Sequence, residues 1–208
     1  MKRQHGMSLV ELMVALLIST ILTLGVLQLF DSTSASDRTN TAIARVQENG
    51  RVALEIIGGD ARRTGYQGCS SAANSLTVNG VTFPDQALQA SSKSITFNYA
   101  STEVTANSFS ANKTCDNKSL YLKSVTYGQC SNGTSICMNN EPILDNTTIT
   151  RIYFGITDAG STKWVESASV TATDLAMANS VSITLEIKEP RNEVTRTFSN
   201  TYELRNRF

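Results

Sequence analysis

Residues 6–12 decide the fold, and they read Gly6-Met7-Ser8-Leu9-Val10-Glu11-Leu12. A short polar leader with two basic residues, Lys2 and Arg3, precedes this stretch. An almost entirely apolar run begins within it and covers residues 7–30, and Glu11 is the only acidic residue before Asp31. A helix over this run would rise about 36 Å at about 1.5 Å per residue, which is enough to cross a bilayer with some tilt.

Two ordinary interpretations of this segment fit poorly. A secretory signal has an apolar region of roughly 7–15 residues closed by a small-residue cleavage site, whereas this apolar run is longer and no such site closes it. A plain anchor would carry Glu11 in hydrocarbon at a cost of about 2.5–3.5 kcal/mol, so the carboxylate predicts a function. The basic leader keeps the N-terminus cytoplasmic by the positive-inside rule, which places the bulk of the chain outside the cytoplasm.

The order of leader, glycine, apolar run and glutamate resembles the type III leader of type IV prepilins and pseudopilins, whose usual form is Gly-Phe-Thr-Leu-Val-Glu-Leu. This resemblance implies that a prepilin peptidase cleaves between Gly6 and Met7, that the new amino group of Met7 is methylated, and that the subunit assembles into a helical filament. Met7 stands where the family usually has phenylalanine. The resemblance implies an inner-membrane protein before assembly and a pilus filament at the cell surface afterwards.

Glu11 gains a role from the same chemistry. After cleavage, the amino group of Met7 is mostly cationic at neutral pH. An ammonium and a carboxylate in lipid are each costly, and pairing offsets much of that cost. The family resemblance implies that Glu11 of an incoming subunit pairs with the N-terminus of its neighbour and fixes the axial register. A pair within one chain is the alternative, since residues four apart on a helix are neighbours.

Composition predicts one globular domain beyond the membrane span. The chain has 208 residues, a formal net charge of +0 and a sequence pI of about 6.6, so no broad basic surface indicates nucleic acid. We assign residues 1–6 to the leader, 7–30 to a transmembrane and filament-core helix, 31–64 to an amphipathic helix, and 65–208 to a disulfide-containing β-rich domain.

The cysteines predict disulfides. All of them lie beyond the span, at Cys69, Cys115, Cys130 and Cys137. An even number in an oxidising compartment indicates two bridges, for which three connectivities exist. We prefer Cys130–Cys137, which closes a short loop, together with Cys69–Cys115. Zinc is the rival, but the sequence has no C-x-x-C pair and its only histidine lies in the leader.

The region after Asp31 is polar and still helical in pattern. One apolar stripe recurs at spacings of three and four, at Ile43, Val46, Gly50, Ala53 and Ile57. The opposite face is polar and includes Arg45, Glu48, Asn49, Arg51 and Glu55. Gly58-Gly59 predict an end or a kink, with room for one more turn before Gly65. One long helix is the favoured interpretation, and two helices with a hinge near residues 31–37 are the alternative.

Three further stretches resemble particular classes within this family. Residues 46–54 contain Gln-Glu-Asn-Gly-Arg, and residues 60–69 end in Gly-Tyr-Gln-Gly-Cys. Both resemble minor pilins of the PilW type. The Leu-Arg-Asn sequence within residues 202–207 resembles the ending of these proteins and of the J-type minor pseudopilins of type II secretion.

The middle of the chain reads as strands and turns, which gives an α+β, pilin-like fold class in which the amphipathic helix covers an antiparallel sheet. Asn79-Gly80 predicts a hairpin between residues 76–78 and 81–83. Alternating apolar residues predict strands at 94–99, 119–123 and 181–187, the last paired with 193–202, and a longer run at 148–156 and the start of another at 163–165 predict two more. Residues 174–178 predict a short helical turn or a loop.

The sequence offers little for catalysis. Without a histidine in the mature chain, no Ser/His or Cys/His nucleophile system can form, so we predict no enzyme, no cofactor and no metal. The acidic turns at 145–146 and 158–160 indicate turn chemistry more than a calcium site. Trp164 is expected in the core, with an adhesive contact by Trp164 or Tyr121 as the alternative.

These observations predict a minor pilin that primes a type IV pilus at or near its tip and so contributes to adhesion, twitching motility or DNA uptake. The expected partners are the prepilin peptidase, other minor pilins, the major pilin, the inner-membrane assembly platform and membrane lipid. A J-type minor pseudopilin of type II secretion is one alternative. A tip adhesin or DNA-binding module is another.

Overall fold

The protein has a pilin-like α+β architecture in which a long N-terminal helix is followed by antiparallel β-sheets. A computed structural model describes residues 8–69, 76–158, 160–189, 191 and 194–206. The predicted fold class is therefore confirmed. The chain divides into two compact units, Met1–Ala44 and Arg45–Phe208.

The long helix α1 covers Leu9–Arg63 without interruption. It passes through residues 31–37, so the alternative of two hinged helices is wrong. No proline lies in this stretch, and threonine hydroxyls bond back to the preceding turn, as in Thr33 Oγ1 to the Leu29 carbonyl at 2.8 Å. The helix also continues past Gly58-Gly59, where an end or a kink was predicted, and stops before Gly65, whose φ is +82°.

The first unit contains only helical structure among its described residues. Its apolar side chains from Leu9 to Phe30 are exposed around the whole circumference of the helix. The described residues contain one helix that is long and apolar enough to cross a membrane, with a mean hydropathy of 2.3 in its most apolar window.

The second unit begins with the amphipathic part of α1. The predicted stripe is confirmed there, because Val46, Gly50, Ala53 and Ile57 are buried. The predicted polar face is exposed throughout, at Arg45, Glu48, Asn49, Arg51 and Glu55.

A small hairpin and a larger sheet follow α1. The hairpin pairs β1 (Leu76–Val78) with β2 (Val81–Phe83) through Asn79 and Gly80, both at positive φ, as predicted. Six further strands form the larger sheet among the described residues: β3 (Leu88–Ser91), β4 (Ser94–Ser101), β5 (Ser108–Lys113), β6 (Ser119–Gln129), β7 (Ile136–Met138) and β8 (Glu141–Leu144). Their order is β3-β4-β6-β7-β8, with β5 paired to β6.

The last sheet contains four described strands in the order β10-β9-β11-β12. Their bounds are β9 (Thr147–Asp158), β10 (Ser161–Glu166), β11 (Ala178–Glu189) and β12 (Val194–Glu203). The predicted antiparallel pairing of the last two strands is confirmed. Helix α2 (Ala172–Met177) lies between β10 and β11, and a capping box between Thr171 and Asp174 starts it.

The core of the second unit lies between α1 and the two larger sheets, the six-stranded and the four-stranded one. The main cluster joins Leu54 and Ile57 of α1 to Tyr127 of β6 and Phe154 of β9. Because side chains alternate along a strand, β6 also buries Leu120 and Leu122 on its other face, in a smaller cluster with the β1–β2 hairpin. The amphipathic part of α1 therefore covers the sheets, as the sequence predicts.

Candidate functional site

The N-terminal segment is the first candidate site, and the structure describes it from Ser8 onward. The predicted cleavage residues Gly6 and Met7 lie outside the described residues. Helix α1 starts at Leu9, so Glu11 lies in its first turn and is exposed. A carboxylate in the first turn of a helix is favoured by the positive end of the helix dipole. It belongs to neither hydrophobic core cluster of the described residues.

Two threonines inside the apolar segment donate their hydroxyls to the preceding turn of the helix. Thr20 Oγ1 donates to the Leu17 carbonyl at 2.8 Å, and Thr23 Oγ1 donates to the Ser19 carbonyl at 2.8 Å. Such backbone partners remove the cost of placing these hydroxyls in hydrocarbon. Glu11 differs because its carboxylate has no such hydrogen bond to the described residues. It is also the only charged residue between Leu9 and Phe30, so it is the group in this segment that gains most from a partner outside the described structure.

The same segment matches a known family model. Residues 1–27 match the prokaryotic N-terminal methylation motif. The chain carries a prepilin motif. This motif supports a type IV pilin or pseudopilin and implies processing by prepilin peptidase and pilus assembly. Together with the exposed apolar helix, it fits anchoring in the inner membrane. Comparisons with curated proteins and with solved structures returned no match.

The second candidate site is the attachment of α1 to the sheets within the second unit. Asp60 receives two tyrosine hydroxyls, Tyr99 Oη to Oδ1 at 2.7 Å and Tyr127 Oη to Oδ2 at 2.6 Å. Arg63 lies 4.0 Å from Oδ1. Burial, followed by the hydrogen bond to Asp60, raises the pKa of both tyrosines well above the usual range. One helix carboxylate thus joins α1 to β4 and β6.

The sequence carries one signal for this attachment, a charged residue in line with the apolar stripe of α1. Asp60 lies three residues after Ile57, in line with the apolar stripe, so a charged residue falls on the buried face of the helix. Burial of such a charge requires partners. The partners come from strands far away in the chain, and the sequence pattern does not identify them.

Aromatic side chains of β12 complete the attachment. Tyr202 Oη donates to the Leu54 carbonyl at 2.5 Å, and a Cβ placed on Gly58 would overlap the Tyr202 ring. A Cβ on Gly50 would meet the Phe198 ring at 2.6 Å. These glycines therefore serve close packing of the helix on the sheet, and this explains why the helix carries them in its interior despite their low helix propensity.

The turn after α1 positions the first disulfide. Gly68 has φ +91°, and a Cβ on it would lie 2.5 Å from the Lys113 carbonyl oxygen. The close approach lets Cys69 N donate to that oxygen at 3.0 Å and places Cys69 beside Cys115, with a Cα–Cα distance of 5.2 Å. Position 68 therefore needs a glycine, both for its positive φ and for the close approach to the Lys113 carbonyl.

The cysteines form two disulfides, Cys69–Cys115 and Cys130–Cys137. This connectivity is the one preferred from the sequence. The first bridge ties the exit of α1 to the segment after β5, and the second closes the turn between β6 and β7. The acidic turn residue Asp145 accepts from Ser135 Oγ at 2.8 Å.

One expected core residue lies elsewhere. The Trp164 side chain is 47% exposed on β10, so its predicted core position is wrong. Strand β10 is an edge strand, and Trp164 points to the sheet face opposite to the one that buries Phe154. Which side chains of β10 point to this face depends on the register of β10 with β9. The three residues at 163–165 do not reveal that register from the sequence alone. Tyr121 is half-buried on β6.

Proposed function

We propose that the chain is a minor pilin that primes assembly of a type IV pilus and lies at or near its tip. The observation that carries this proposal is the prepilin motif on a helix whose apolar side chains are exposed on all sides between Leu9 and Phe30, with Glu11 as the only charged residue there. A soluble protein does not leave so large an apolar surface uncovered. Lipid before assembly and neighbouring subunits after assembly would cover it.

Glu11 is the residue we propose to fix the register of an incoming subunit. A carboxylate in a low-dielectric filament core gains most from a cationic partner, because an unpaired charge there is costly. The methylated amino group of Met7 on a neighbouring subunit would supply that partner. In this scheme the prepilin peptidase exposes the amino group, and the inner-membrane assembly platform moves the docked subunits outward.

Features of the second unit support a minor pilin of the PilW type. The Gln-Glu-Asn-Gly-Arg stretch at 47–51 contains Gly50, which packs against Phe198. The Gly-Tyr-Gln-Gly-Cys stretch at 65–69 ends the helix and sets the first disulfide. Both resemblances therefore fall on residues with a structural task. We further propose that the protein is not an enzyme and contributes to pilus-dependent adhesion, twitching motility or DNA uptake through assembly.

A J-type minor pseudopilin of type II secretion is the second candidate, because the Leu-Arg-Asn sequence at 204–206 also resembles the ending of that class. Leu204 is buried in the main core, and Asn206 Nδ2 donates to the Arg62 carbonyl at 3.1 Å. This ending is common to both classes of protein, so it supports a pilin-like subunit without choosing between them. The two candidates differ in the filament that requires the chain.

Counting surface pili by electron microscopy tests the proposal. The strain carries a clean deletion of the gene, with retraction disabled so that a loss of pili reports failed assembly. We expect pili to be absent or sharply reduced, and to return when the wild-type gene is supplied. Normal pili together with a loss of protein secretion would establish the pseudopilin role instead.

A mass measurement separates processing from assembly. The chain purified from membranes should begin at Met7 and carry the mass increment of one methyl group. If pili are lost in the deletion strain but the chain retains residues 1–6, assembly would not depend on the proposed amino group. The scheme for Glu11 would then be withdrawn.

A further inference from the structure

Among the described residues, the outward face of the last sheet carries two large aromatic side chains, the exposed Trp164 and the half-buried Tyr153. Trp164 is 47% exposed and lies on the edge strand β10. It is paired in register with Gly155 of β9, which is paired in turn with Ser180 of β11. Since directly opposed residues point to the same face of an antiparallel sheet, these three positions form one row.

Because Gly155 has no side chain, the indole of Trp164 can lie directly above it. A Cβ at this position would meet Trp164 Cη2 at 3.2 Å and Cζ3 at 3.3 Å, and it would also overlap Ser180 Oγ. The six-membered ring therefore reaches over β9 and fills the space above the glycine. One side of the ring is supported by the sheet, and the exposed part remains available to a ligand.

Hydroxyl and amide groups border the ring along the same face. Thr157 Oγ1 and Thr162 Oγ1 are 3.1 Å apart, and Asn179 Nδ2 donates to Thr157 Oγ1 at 2.5 Å. Ser180 Oγ donates to Asn179 Oδ1 at 3.0 Å. These bonds join four side chains from β9, β10 and β11 into one network. The network holds donors and acceptors in fixed positions beside an apolar ring.

The charges near the ring disfavour an anionic ligand. Glu166 lies two residues from Trp164 on the same strand face, and Glu203 is paired in register with Ser180. Glu203 is itself 3.9 Å from Arg205. A nucleic acid would need several cations for its phosphates, whereas the charged residue nearest the indole on its own strand is Glu166, and Arg151 lies further along β9 on the same face.

A second copy of this chain also fits poorly. A stable interface buries roughly 1,000 Å² or more and has an apolar centre. The large apolar groups described on this face are the indole and the half-buried Tyr153, which together offer far less than this area, and their surroundings are hydroxyls, amides and charged groups. A small neutral ligand with one apolar face and several hydroxyls matches the patch in both size and chemistry.

We propose that Trp164 and the neighbouring Thr157, Thr162 and Asn179 form a binding site for neutral saccharides. The C–H face of a pyranose ring packs on the exposed indole, and the sugar hydroxyls exchange hydrogen bonds with the threonine and asparagine side chains. The proposal concerns the second unit alone and does not rest on the role in pilus assembly. It gives the exposed sheet face a ligand, in addition to that role.

The intrinsic fluorescence of the protein provides a direct test, because Trp164 is its only tryptophan. The full chain is kept soluble in an amphipol that has neither sugar nor tryptophan and is titrated with cellotetraose, chitotetraose and maltotetraose. We expect a saturable change in emission with at least one of the three. Absence of a change with all three, up to their solubility limits, would overturn the proposal.

Variants test which residues bind. By calorimetric titration, Trp164→Ala should weaken binding at least tenfold, Trp164→Phe should retain part of it, and Thr162→Val should weaken it several-fold. Val104→Ala removes an exposed apolar side chain outside the site and should change nothing. Thermal unfolding checks that each variant is folded. If Trp164→Ala does not fold, Thr162→Val still tests the proposal.

Two other results would also contradict the proposal. A change in emission that follows protein concentration without sugar would show that the face binds a second copy. A salt-sensitive response to a thymidine oligonucleotide, with none to the sugars, would assign the face to single-stranded nucleic acid.

Discussion

The two units of this protein use the same helix in opposite ways. In the first unit, residues 9–30 of α1 expose apolar side chains around the whole circumference of the helix, with Leu9 at 74% and Phe30 at 69% exposed. In the second unit, the helix hides one stripe, and Ile57 is 1% exposed. A polar face accompanies the buried stripe, whereas residues 9–30 have no such face. The first part of the helix is therefore built for surroundings outside the chain, and the second for its own sheets.

This comparison predicts that contacts within the second unit determine the free energy of unfolding. Substitutions at its disulfides, glycines and tyrosines should change the unfolding of the sheets without changing membrane insertion. Each can be measured on the full chain in micelles, by near-ultraviolet circular dichroism for unfolding and by membrane fractionation for insertion.

Disulfide removal should have the largest effect, and the two bridges should differ. Cys69 and Cys115 are 46 residues apart, whereas Cys130 and Cys137 are 7 apart. Loop-closure entropy then predicts a loss of about 4 kcal/mol for the double serine variant at the first bridge and about 2.4 kcal/mol at the second. Chemical denaturation measures both losses. Equal losses would show that chain entropy does not control their contribution.

Two adjacent glycines offer a matched pair. Gly58→Ala places a methyl group against the Tyr202 ring and should cost about 1–3 kcal/mol of unfolding free energy. A Cβ placed on Gly59 would meet no neighbouring side chain within 4 Å, so Gly59→Ala should stabilise the protein by about 0.5–1 kcal/mol. Thermal unfolding should give opposite shifts. Shifts of the same sign would contradict the close packing described for Gly58.

Alkaline pH should weaken the attachment of α1 to the sheets. In the unfolded chain the hydroxyls of Tyr99 and Tyr127 ionise near pH 10, whereas their raised pKa keeps them protonated in the folded state. The unfolded state therefore binds fewer protons above pH 10, and the free energy of unfolding falls by up to about 1.4 kcal/mol per pH unit for each tyrosine.

The control for this effect is the Tyr99→Phe/Tyr127→Phe variant, which lacks both ionisable hydroxyls. Its unfolding free energy, measured by urea denaturation between pH 9 and about pH 11, should fall less steeply than that of the wild type. The variant should keep a residual slope, because burial also raises the pKa of Tyr202. Identical slopes would show that the two tyrosines do not carry the alkaline loss.

Local patterns predicted much of the fold because they reflect local physics. The stripe from Val46 to Ile57 has helical spacing, the Asn79-Gly80 turn needs positive φ, and alternation marks β9 and β11. Short strands such as β7 carry too few residues to show alternation. The disulfide pairing also agrees with the preference from the sequence, since a seven-residue separation favours a local bridge.

Features that depend on distant partners were not predictable in this way. Asp60 joins Tyr99 and Tyr127, which are 39 and 67 residues away in sequence. Trp164 is exposed because of its edge position and its pairing with Gly155, which depend on sheet order and register. The assignments of Met7 and Glu11 rest on the prepilin motif, because the partner we propose for Glu11 belongs to a neighbouring subunit.

The most direct test of the central claim measures incorporation of a Glu11→Ala variant into sheared filaments, with Glu48→Ala as the matched control. Both variants remove one exposed carboxylate from α1, the first in the apolar part and the second in the amphipathic part. We predict that Glu11→Ala is inserted and cleaved normally but is strongly depleted from filaments, whereas Glu48→Ala is incorporated like the wild type. Normal incorporation of Glu11→Ala would contradict the account.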